Sequence, residues 1–252
     1  MLFRSGFRSA YAGVWFLCNA FVAMGLYGDF SRPRDRLLAL APSRLLDRLA
    51  LGWFGRAYGD DPLHRALLRD ATDPPLPRRW QVRPEWLEAF DDAQRPGGGG
   101  QRRRPTLWHP AGFPLAASRR APAMAQAAAA ARRVGYQPER GRAGAGRPSR
   151  RGSHPRGGGA TGERARRLPS RPEERWLACL ALYLEARIQR ATGDPALGLS
   201  SLAIPGQCRI SPERVDVDMA LEELPLPLRL AGLDRDPGWL PAEGRAIAFH
   251  FH

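Results

Sequence analysis

Apolar residues along this chain recur with two different periods. Residues 10–27, AYAGVWFLCNAFVAMGLY, form an uncharged run preceded by Arg4 and Arg8. Its length just reaches that of a membrane span, and a basic start before small residues at Ala23 and Gly25 also has the form of a signal peptide. Gly13, Asn19, Gly25 and the alanines inside the run favour a third reading, a helix buried in a folded domain. Further on, Pro42 and Ser43 open SRLLDRLALGWFG, where Leu45, Leu46, Leu49 and Trp53 make one helical stripe that Gly55 ends. Asp61 and Pro62 have the chemistry of an N-cap and a first helical residue, and they precede Leu63, Leu67 and Leu68. The stretch DPPLPRRW (73–80) breaks the pattern, and Pro84 starts a short helix carrying Trp86, Leu87 and Phe90.

Order of a second kind begins at Ser170. Ser170-Arg171-Pro172-Glu173 has the form of a capping box, and the helix predicted over 173–191 carries Trp176, Leu177, Leu180, Leu184 and Ile188 before Gly193 stops it. RVDVDMAL (214–221) then alternates, with Val215, Val217, Met219 and Leu221 on one side and Asp216 and Asp218 on the other, as a half-buried strand does. Leu224 to Leu233 reads as a short apolar helix or turn, Asp236-Pro237-Gly238 as a type II turn, and AIAFHFH as a second strand. The predicted fold class is α+β, mainly helical: a helical region over 1–93, a linker over 94–169, and an α+β module over 170–252. The two ordered ends are expected to pack as one body. In it, Leu233 and Trp239 would anchor the LAGLDRDPGW turn, and Phe249 and Phe251 would face the helix over 173–191.

Composition sets the middle apart. The chain has 252 residues and a formal net charge of +14. Residues 95–171 hold 18 arginines against two acids, Glu139 and Glu163, whereas the rest holds 21 arginines against 23 acids. That segment also has 14 of the 27 glycines and nine prolines, including Gly97–Gly100 and Gly157–Gly159. Such a stretch buries too little apolar surface to offset the entropy of ordering its backbone. Two islands interrupt it: LWHPAGFPL (107–115) and the alanine-rich run 121–131. The segment reads as a solvated basic linker or as the out-of-frame product of a high-GC gene. A third reading makes it a nucleic-acid or acidic-partner arm, with Arg102, Arg103, Arg104, Arg150, Arg151 and Arg156 as candidate phosphate contacts.

Candidate chemistry is sparse. The chain has no lysine, which excludes a Walker lysine, a kinase strand lysine and a Schiff base to pyridoxal phosphate. GRAGAGRPS (141–149) and GGGATGER (157–164) imitate phosphate loops without that lysine or a flanking strand. Cys18, Cys179 and Cys208 are too few and too scattered for a disulfide framework or a metal knuckle, which points to a reduced, cytoplasmic protein. Asp216 and Asp218 with His250 and His252 would gather as metal ligands if their strands were neighbours in register, but the same alternation describes the wet face of a sheet, which is the preferred reading. His109 reads as a structural or loop histidine, His64 suggests no chemistry, and Trp15, Phe16, Phe21, Trp53, Trp86, Trp176 and Trp239 read as core. No catalytic residue, cofactor, metal or small-molecule substrate is expected.

Two stretches carry a resemblance. YAGVWFLCNAFVAMGLYGDFSRP, followed by DDPLHRALL, and the ending RVDVDMALEELPLPLRLAGLDRDPGWLPAEGRAIAFHF resemble an uncharacterised bacterial family associated with contractile injection system gene clusters. The order of parts is similar in outline to the tape-measure-like proteins of those systems. The more specific string is LAGLDRDPGW, with Leu233, Asp234, Asp236, Pro237, Gly238 and Trp239, before a terminal FHF. The likeness covers roughly residues 10–70 and 175–251, includes HPAGF (109–113) as a fragment, and departs between about 95 and 170. It implies a non-enzymatic structural or assembly accessory of a phage-tail-like machine, with other proteins of that assembly as partners. The alternatives are a nucleic-acid-binding protein using residues 95–171 and a membrane-anchored protein held through 10–27.

Overall fold

The computed structural model describes residues 6–27, 38–68, 73–90, 106–109, 111–117, 125–126, 128–129 and 168–252. Helices and sheets are both present, so the fold is mixed α and β. The chain divides into two compact units, one built from Met1–Pro77 with Leu184–His252, the other from Arg78–Tyr183. Within the first unit, strands from the N-terminal region and from the C-terminal module share one sheet.

That sheet has five strands in the order β1 (Phe7–Ser9), β5 (Gly206–Ile210), β6 (Arg214–Met219), β8 (Arg245–Phe251), β7 (Gly238–Leu240). All neighbours are antiparallel except β6 and β8, which run parallel with Val217 opposite Phe249 and Asp218 opposite His250. The alternation along β6 buries Val215, Val217 and Met219 and leaves Asp216 and Asp218 half-exposed, as a strand with one wet face requires.

The apolar run after β1 is not one helix. It is a 3-10 turn, Ala12–Phe16, followed by α1, Leu17–Ala23, and Trp15, Phe16, Leu17, Cys18 and Phe21 are buried. Gly13 makes the turn possible: its amide donates to the Ile204 carbonyl at 3.1 Å, and a Cβ there would sit 2.8 Å from the Leu202 carbonyl oxygen. No helix among the described residues is long and apolar enough to cross a membrane.

Helix α2 (Pro42–Phe54) buries Leu45, Leu46 and Leu49 and ends at Gly55, whose φ of 64° suits glycine. Its first turn lacks a local cap. The Ser43 amide donates instead to Glu243 Oε2 at 2.9 Å, so a carboxylate between β7 and β8 serves the positive end of a helix 200 residues away. After α3 (Arg56–Gly59) comes α4 (Pro62–Leu68), and Asp61 caps it as its sequence predicts, Oδ1 accepting the Leu63 amide at 2.8 Å. Asp61 also accepts the Ser9 hydroxyl at 2.8 Å and the Ala10 amide at 3.0 Å, which ties α4 to the end of β1.

The second unit contains a three-stranded antiparallel sheet in the order β2 (Trp80–Gln81), β4 (Pro114–Ala117), β3 (Thr106–Trp108), with α5 (Pro84–Leu87) and the first part of α6 (Pro172–Thr192). Aromatic rings make its core. Trp80 meets Trp176 at 5.8 Å, Trp86 meets Tyr183 at 5.3 Å, Phe90 meets Phe113 at 4.8 Å, and the Tyr183 hydroxyl donates to the Trp86 carbonyl at 2.8 Å. The expectation of a linker over 94–169 therefore needs correcting at Thr106–Trp108 and Pro114–Ala117, which form β3 and β4. The composition of 94–169 understated the burial available, because two of the rings that pack on Phe113, Phe90 and Tyr183, come from outside the segment. The six candidate arginines lie outside the described residues, as does most of 94–169.

Helix α6 runs one residue beyond the predicted span at each end and stops at Gly193, φ 68°. Phe249 is buried as expected, but its ring packs edge-on against Phe16 at 4.9 Å, and Phe251 is half-exposed. Phe249 thus meets the N-terminal turn, a contact the expectation of both rings facing the helix over 173–191 did not include.

Candidate functional site

The segment between β6 and β8 presents apolar side chains to solvent. Its helix α7, Leu226–Leu230, is short and carries leucines on two sides. Leu224 and Leu228 are buried, whereas Leu226 and Leu230 are 61% and 79% exposed. Residues four apart share a helix face, so the two exposed leucines stand together one turn apart. Leu221 is also exposed, and on β7 the alternation sends Leu240 inward and leaves Trp239 49% exposed.

Polar side chains hold this segment in place. Asn19 Nδ2 donates to the Leu233 carbonyl at 2.8 Å and to the Arg235 carbonyl at 2.7 Å. Asp236 Oδ1 accepts the Phe249 amide at 2.7 Å, and Arg229 Nε lies 3.4 Å from Asp234 Oδ2. In the Asp236-Pro237-Gly238 turn, Gly238 takes φ 69°. The expectation that Trp239 and Leu233 anchor the turn is thereby corrected: Trp239 points outward, Leu233 is half-buried, and Asn19 and Asp236 do the anchoring. Asn19 is the one asparagine of the chain and stands in an otherwise apolar run. A primary amide there must find acceptors, and that was the available signal.

A second cluster lies on the wet face of the sheet. β6 and β8 are neighbours, as a metal cluster of Asp216, Asp218, His250 and His252 requires, but the side chains form separate pairs. His250 Nε2 lies 2.9 Å and Arg214 Nε 2.7 Å from Asp216 Oδ1. His252 Nε2 lies 3.4 Å from Asp218 Oδ1, and Arg209 Nη2 lies 2.9 Å from Asp218 Oδ2. Burial pushes the Asp216 carboxyl up, but the His250 and Arg214 hydrogen bonds outweigh it and hold the group below the usual carboxylate range. Among the described residues no group of three or more His, Cys, Asp or Glu side chains is arranged to hold a metal ion. A cation between these strands would have to displace an arginine from each carboxylate.

Sequence reasoning passed over a third cluster. Asp47 is buried on α2, and its Oδ1 lies 2.7 Å from His64 Nδ1 and accepts the Tyr58 hydroxyl at 3.1 Å. Its Oδ2 faces Arg44 Nη1 at 3.3 Å. Arg44 forks onto Asp73 at 2.8 and 2.9 Å and donates to the Leu67 carbonyl, and the Asp73 hydrogen bond is the main reason the guanidinium is held above its ordinary pKa. Burial, reinforced by Asp47, pushes the Tyr58 hydroxyl well up. An imidazole oriented by a buried carboxylate is half of a general-base arrangement. Among the described residues no Ser, Thr or Cys side chain is hydrogen-bonded to His64, and what the cluster does is join α2, α3 and α4. An aspartate between Leu46 and Leu49 on an apolar stripe was the visible sign of it.

The remaining candidates resolve simply. His109 is buried in the turn between β3 and β4 and stacked on Phe113 at 4.5 Å, and burial lowers its pKa to about 4. All three cysteines are buried, with Cys208 pushed up to about 12 by that burial, so its thiol stays protonated. No family model, no curated protein and no solved structure matches the chain.

Proposed function

We propose that this chain is a non-enzymatic structural or assembly accessory of a bacterial contractile injection, phage-tail-like system, acting through protein contacts. The observation that carries the reading is the segment 221–239, where Leu221, Leu226, Leu230 and Trp239 stand exposed on a backbone held by Asn19 and Asp236. An apolar surface on a pre-ordered backbone loses little further entropy when a partner covers it, which suits protein recognition. The same segment contains the LAGLDRDPGW string on which the family resemblance rests. The strongest polar clusters, around Asp47 and around Asp216 and Asp218, are internally paired, and this favours a structural use for them.

The test is genetic and structural together. In a host whose gene cluster encodes this chain, its deletion is expected to abolish assembled sheath-and-tube particles seen by electron microscopy. A Leu226→Asp, Leu230→Asp variant that keeps the wild-type melting transition is expected to fail to restore them. Normal particles from the deletion strain reject the proposal.

A further inference from the structure

We draw no further inference here: the strongest candidate, the surface patch formed by the exposed Leu226 and Leu230 on α7, belongs to the segment already described, and nothing in the structure shows what covers it.

Discussion

His109 shows how far a single residue's environment can depart from what its neighbours in sequence suggest. Stacked on Phe113 inside an aromatic core, it has a folded pKa of about 4, against an unfolded value of about 6.5. Between those values the unfolded chain binds the proton and the folded unit does not. Stability from this group is complete above about pH 6.5 and declines as the pH falls toward 4. The unit holding β2, β3 and β4 is therefore expected to melt at progressively lower temperature across that window. A His109→Phe variant should flatten the slope, and an equal slope in wild type and variant would reject the assignment. Asn19 makes the same point with hydrogen bonds: a lone amide in an apolar run had to be answered, and only the folded chain placed the Leu233 and Arg235 carbonyls within its reach.

At the scale of elements, local signals worked where the partners are local. Asp61 before Pro62 reads as the start of a helix, and it is one, because a cap needs only the amide two residues on. The sequence does not show that the same carboxylate also accepts from Ser9 and Ala10. Asp61→Ala is expected to cost about 3 kcal/mol, since it removes a cap and leaves a buried hydroxyl and an amide unanswered. Asp61→Asn is expected to cost less, because one carbonyl oxygen remains. Denaturant unfolding checks both, and equal midpoints for wild type and Asp61→Ala would show the tie to β1 to be idle. Helix α2 is the converse case: its stripe and its closing glycine were legible, but the carboxylate serving its first turn, Glu243, is too distant in sequence for any local rule to find.

At the scale of the whole molecule, N-terminal and C-terminal residues share one unit, and Phe249 against Phe16 is a contact between them. Phe249→Asp buries an unpaired charge at that contact, and a loss of at least about 4 kcal/mol is expected. Amide exchange should then show protection lost in residues 14–21 as well as in β6 and β8, and protection retained over 14–21 would mean that the two ends fold independently. Periodicity and turn chemistry alone determined that a helix opens at Pro42 and Ser43 and closes at Gly55, that another starts at Asp61 and Pro62, that a third spans 173–191, and that strands lie within 214–221 and 246–252, because each depends on residues a few positions apart. The tertiary structure alone decided that β1 joins β5, that Asp216 and Asp218 pair with His250 and His252, that His64 meets Asp47, and that Thr106–Trp108 and Pro114–Ala117 become strands. Those outcomes turn on groups far apart in the chain, and which of them burial brings together is a property of the packed fold.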